Sequence, residues 1–143
     1  YTTDVPARIR LGMADWLAPA NSAADLRDHF PRLDRVGHAA LITLCSGTPT
    51  WLFSAEGELG VSQLARLAAL LDGLDRSRAM PVIAIHHPPV APGLSRLKRL
   101  RDAEALLDIL ARHRCPLVLH GHLHKACRQD WSRDGHEVAV IGA

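Results

Sequence analysis

The chain has 143 residues, of which 48% are hydrophobic and 22% charged. That length suits one domain by the usual range of roughly 100–200 residues, and that composition excludes long disordered, collagen-like or fibrous stretches. With 17 basic and 15 acidic residues the net charge is only +2, so no strong field points to nucleic acid as a specific partner.

Residues 5–18 place Ile9, Met13, Trp16 and Leu17 on one helical face and stop before Pro19. Ser22 with Asp25 three residues on resembles a capping box and predicts a short helix ending before Pro31. The continuous apolar run 37–45 predicts a strand buried on both faces. A turn at 46–49 leads to a predicted strand at 50–53, and 56–60 reads as a polar, glycine-bounded loop. The clearest helix covers 61–74, where Leu64, Leu67, Leu71 and Leu74 recur at three- and four-residue steps. An apolar strand at 80–85 and a second helix at 98–114 follow, the latter with Leu100, Leu107 and Leu110 inward. A short buried strand at 115–119 is broken by Gly121, and strands at 125–131 and 137–141 are joined by the turn-like segment 133–135. This order predicts an α/β layered fold, with 1–143 a single domain or a domain fragment.

The longest apolar runs fall far short of the roughly 18 residues that a membrane-spanning helix needs. No basic start followed by an apolar stretch marks a signal peptide. Three widely spaced cysteines, Cys45, Cys115 and Cys127, fit neither a disulfide framework nor a thiolate zinc knuckle; they fit a reducing, cytoplasmic compartment.

Nine histidines are the unusual figure, and six of them, His86, His87, His113, His120, His122 and His124, fall between positions 86 and 124. Imidazole is the commonest metal ligand and the usual proton carrier near neutral pH. In His86-His87-Pro88-Pro89 a buried strand delivers two imidazoles to its carboxyl end, and the prolines stop it there. Ligands gather at such strand ends in open α/β sheets. The alternative is one surface histidine beside one packed histidine. In His120-Gly121-His122-Leu123-His124, extended chain would turn His122 and His124 to one side as a pair of ligands. His120 would line the site. Arg96, with Lys98, Arg99 and Arg101 nearby, could reach a substrate phosphate; the alternative is a solvated helix start.

Together, His86-His87-Pro88-Pro89 and Gly121-His122-Leu123-His124, with a predicted helix between them, resemble the last two ligand motifs of the calcineurin-like metallophosphoesterases. Segment 41–74, with its apolar strand, the loop Gly57-Glu58-Leu59-Gly60 and the leucine-rich helix, looks like the middle of that family's bacterial class III cyclic-nucleotide-phosphodiesterase-like branch. The resemblance runs from Gly37 to Ala143. It implies a four-layer α/β/β/α sandwich of which this chain is the C-terminal half, the N-terminal half being missing. It implies two divalent metal ions (Mn, Fe or Zn) in the complete protein, and one or none in this fragment. His86 and His122 would bind one ion and His124 the other. His87, His120 and Arg96 would face the substrate, a small phosphodiester or phosphomonoester. The departures from the pattern are specific. Asn21, the sole asparagine, stands in Ala20-Asn21-Ser22 and not in Gly-Asn-His; no Gly-Asp dipeptide occurs; and no Asp-x-His motif is read, Asp28 and His29 being adjacent.

Three functions follow as alternatives. The first is a phosphoester hydrolase whose complete protein is active while this chain alone is not, since no catalytic residue is assigned within it. The second is a non-catalytic fragment holding one zinc on His86, His122 and His124. The third is an interaction module, because half of a layered sandwich leaves apolar sheet uncovered. Its partner would be a second copy or the missing N-terminal half.

Overall fold

The computed structural model describes residues 28–48 and 54–143. The predicted helix at 5–18, the capping box at Ser22, the strand at 50–53, and Asn21 lie outside the described residues. The elements are β1 (Arg32–Val36), β2 (Ala39–Thr43), α1 (Val61–Asp72), β3 (Met80–Ile85), a 3-10 turn (Arg96–Lys98), α2 (Ala103–Arg112), β4 (Leu117–His120), β5 (Cys127–Arg133) and β6 (His136–Gly142).

Six strands form one mixed sheet in the order β1-β2-β3-β4-β6-β5. β2, β3, β4 and β6 run parallel, and antiparallel β1 and β5 form the edges. α1 links β2 to β3 and α2 links β3 to β4, so the chain steps across the sheet in one direction. Right-handed crossovers then place both helices on the same face. Strand register lines up Ile42, Ile83, Val118 and Val140 across the four parallel strands. All four are fully buried, in one cluster with Leu64, Leu67 and Leu71 of α1 and Leu106, Ile109 and Leu110 of α2. Full burial of each such side chain stabilises the fold by about 1.5–3 kcal/mol.

The other face carries the next register row, Thr43, Ala84, Leu119 and Ile141. Leu119 is 38% exposed and Ile141 37%. Among the described residues there are therefore two layers, one sheet and one pair of helices. β2 accordingly alternates between buried and half-buried positions, which corrects the expectation of a strand buried on both faces.

The second predicted helix also needs correction. Residues 98–102 do not belong to it. Leu100 makes a parallel bridge with Gly57, with Gly57 N–H donating to the Arg99 carbonyl and Arg101 N–H to the Gly57 carbonyl. Backbone groups paired to another segment are not available to a helix ladder. α2 starts only after Asp102, whose carbonyl accepts from Leu106 N–H. β1, Arg-Leu-Asp-Arg-Val, was not predicted, because its alternation is weak and its partner β2 lies across a turn at Gly37. The β5–β6 turn is Asp134-Gly135, with φ of 52° and 71°, as the two-residue hairpin type that favours Asp-Gly requires.

Candidate metal centre

β3 ends at Ile85, so His86 and His87 leave the sheet at its carboxyl edge. His120, the last residue of β4, stands opposite Ile85 in the parallel register. Gly121 N–H donates to the His86 carbonyl at 3.2 Å and ties the two strand ends together. The chain then reverses. Leu123 N–H donates back to the Gly121 carbonyl at 2.8 Å, and His122 between them has φ 69°, the arrangement of a γ-turn. His124 also lies in the left-handed region, with φ 51°. Extended-chain alternation therefore does not describe this loop, which corrects the reason given for pairing His122 with His124. Two bulky residues at positive φ cost about 1–3 kcal/mol each.

The turn brings His122 onto His86. Their rings are nearly perpendicular, with centroids 5.1 Å apart, and Nδ1 of His122 lies 3.2 Å from Nε2 of His86. Two imidazoles bound tetrahedrally at 2.0–2.1 Å to one ion hold their nitrogens about 3.3 Å apart. The observed spacing fits two lone pairs converging on one cation as well as it fits a shared proton. His122 Nε2 is buried and meets no partner at full hydrogen-bond geometry among the described residues, the Lys98 backbone acting on the ring from a looser approach. Burial, then the charges of His86, Lys98 and His124, lowers the His122 pKa, against the pull of the Lys98 backbone. Burial, then the charges of His124 and His120, lowers that of His86. Both rings thus favour the neutral form that binds metal.

His87 completes a group of three imidazoles whose nearest ring nitrogens all lie within 4.8 Å of one another. Its own bonds argue against ligation. Nε2 lies 3.1 Å from the Ala55 carbonyl, which can only accept, so Nε2 carries the proton. Nδ1, 2.8 Å from Ser46 Oγ, then accepts from that hydroxyl, which in turn receives the His87 backbone N–H. Both ring nitrogens are engaged. The ring is 3% exposed, and burial, followed by the charges of His122 and His86, lowers its pKa to about 4. His87 anchors the strand end from below and leaves His86 to face outward.

The remaining sequence candidates are placed as follows. His124 is exposed and lies outside the group of three, near enough for its charge to act on His86 and His122. His120 is buried, its Nδ1 2.9 Å from the Gly121 carbonyl and its Nε2 3.8 Å from Cys127 Sγ. Arg96 sits exposed on the 3-10 turn, and it is Lys98, two residues on, whose charge reaches His122. The Asp-x-His spacing does occur, at Asp134-Gly135-His136. It forms the β5–β6 turn, with His136 Nε2 bonded to the Cys115 carbonyl, away from the cluster. Sequence reasoning missed Ser46 and Gln63. The Gln63 amide is 2% exposed and clamps Cys45 through its N–H and carbonyl, both at 2.8 Å. Neither residue belongs to a motif, so no local signal marked them.

No family model matches the chain, and no curated protein matches it. Among solved structures, a dimetal phosphatase from Danio rerio is similar at 27% identity and a TM-score of 0.47, over 60% of this chain. The match spans 27% of the phosphatase chain, about a quarter of its length.

Proposed function

We propose that this chain supplies the histidine ligands of a metal-dependent phosphoesterase with a dinuclear centre. The observation that carries the reading is the approach of His86 and His122, Nε2 to Nδ1 at 3.2 Å, at the carboxyl ends of adjacent parallel strands. Two motifs that resemble a phosphoesterase ligand set meet there, although they are far apart in the chain. His86 and His122 would hold one ion, and His124 is the candidate for the second. Bound divalent ions would polarise phosphoryl oxygens and lower the pKa of water. The chain's own part is to hold the imidazoles neutral and aimed. His87 and Ser46 fix the end of β3, and the γ-turn fixes His122. Lys98, whose charge reaches His122, gives the loop beside them a positive charge suited to a phosphoester. The carboxylate and asparagine ligands would come from a preceding segment forming the second half of a four-layer sandwich.

Equilibrium binding of Mn²⁺ and Zn²⁺ tests this. His122→Ala and His86→Ala are each expected to weaken binding by about tenfold or more while leaving the fold intact. This chain alone is expected to give negligible turnover of bis(p-nitrophenyl) phosphate. Metal affinity unchanged in both variants would overturn the reading. A second reading, a mononuclear site on His86, His122 and His124, is favoured by one fact: the ligand group found among the described residues, His86, His87 and His122, brings no carboxylate to His86 and His122. A single ion per complete protein would select it.

A further inference from the structure

A groove of about 540 Å³ lies beside the metal centre, between the proline loop that follows His87, the segment before α2, and β5. Its volume is within the range of small-molecule sites, about 300–1,000 Å³. Leu100, Leu107 and Trp131 give it an apolar lining, and Arg96 and Arg99 add two guanidinium groups. The acidic residues that also line it are already engaged. Glu56 is paired with Arg101 at 2.8 Å, and Glu104 with Arg133 at 2.8 Å. Arg133 also lies 5.0 Å from the Trp131 ring centroid and so helps to hold the ring in place. Arg96 and Arg99 have no carboxylate partner among the described residues. Arg99 is oriented by its Nε–H, which donates to the Leu94 carbonyl at 2.7 Å and leaves its terminal nitrogens for a ligand.

An apolar cavity with two uncompensated guanidiniums at its rim has a definite complement. We infer that the groove binds a small organic anion, a phosphonate or phosphate carried on an aromatic or apolar body. The planar, multiply donating guanidinium matches the oxygens of such a group, and the Leu–Trp surface takes the apolar body. This site is separate from the histidine cluster and needs no metal.

Calorimetry with phenylphosphonate in excess EDTA tests the inference, with methylphosphonate as the probe lacking the ring. Phenylphosphonate is expected to bind, and methylphosphonate to bind about tenfold more weakly for want of apolar contact. Arg96→Ala, at an exposed position, is expected to weaken phenylphosphonate binding about tenfold, as loss of a charge-assisted bond does. Arg99→Lys, which keeps the charge but not the fork, is expected to weaken it less. His122→Ala is expected to leave it unchanged. No binding up to about 10 mM, a Kd corresponding to about 2.7 kcal/mol, would overturn the inference. So would binding that the arginine variants do not alter, or binding lost in His122→Ala, which would assign it to the metal centre.

Discussion

His87 is held against a residue that has no side chain. A Cβ on Gly57 would lie 2.3 Å from His87 Nδ1 and 2.5 Å from Cγ. The ring cannot retreat without giving up Ser46 or the Ala55 carbonyl. Gly57→Ala is therefore expected to destabilise the fold by about 1–3 kcal/mol, read by urea unfolding, as overpacking does elsewhere. A neutral substitution would show that the ring has room to move. Cys115 gives a second test at this scale. It is fully buried, and burial pushes its thiol up to about 11, with Arg76 opposing. A thiol that resists ionisation only in the folded state favours folding below its unfolded value of 9.0 and loses that contribution as pH rises towards 11. In that window the unfolded chain binds fewer protons, so stability falls with pH. The fall attributable to Cys115 is at most about 3 kcal/mol at 1.36 kcal/mol per unit. Comparing native protein with Cys115→Ala between pH 8 and pH 11 isolates it; parallel slopes in the two would refute the assignment.

Asp102 joins two elements. Its carboxylate accepts the N–H groups of Leu59, at 3.0 and 3.1 Å, and of Gly60, at 2.8 Å, just ahead of α1. Its carbonyl begins the ladder of α2. Backbone donors at a helix start have no intrahelical acceptor, and a negative charge there is favoured by the helix dipole. Asp102→Ala is expected to cost about 1–2 kcal/mol by chemical denaturation, with Asp102→Asn recovering part of it. Equal losses in both variants would show that the acceptor oxygen adds nothing. At the opposite end of α2, Arg76 caps from outside, its guanidinium donating to the Arg114 carbonyl at 2.8 Å and also to the His113 carbonyl. The two helices are thus tied to the loops around them by polar side chains as well as by their leucines.

For the molecule as a whole, the two faces of the sheet differ. One is closed by α1 and α2, and the other leaves Leu119 and Ile141 more than a third exposed. Among the described residues no helix is long and apolar enough to cross a membrane. At about 25 cal/mol per Å², even a few hundred Å² of such surface is worth several kcal/mol when covered. Sedimentation at micromolar concentration is expected to show a dimer or larger species of this chain, with Leu119→Lys combined with Ile141→Lys restoring the monomer. A monomer before substitution would mean that this face does not associate with itself.

Local pattern alone determined much of the scaffold. The leucine spacing of α1, the apolar run of β3, and Asp134-Gly135 between β5 and β6 each follow from near neighbours along the chain, where periodicity and turn chemistry act directly. The same holds for the histidine-rich strand ends, where residue type and position alone make His86 and His122 candidates. Other features depend on contacts between distant segments. The start of α2 was set by the Gly57–Leu100 bridge, more than forty residues apart in sequence, and no helical period can register a competing partner. The division of labour between His86 and His87 was set by Ser46, Ala55 and Gly57, which enclose one ring and leave its neighbour outside. His122 reached His86 through a left-handed turn, where the rule of alternating faces does not apply. Tertiary structure decided these because hydrogen-bond partners and the space for a ring are properties of packed segments and not of the residue that carries the ring.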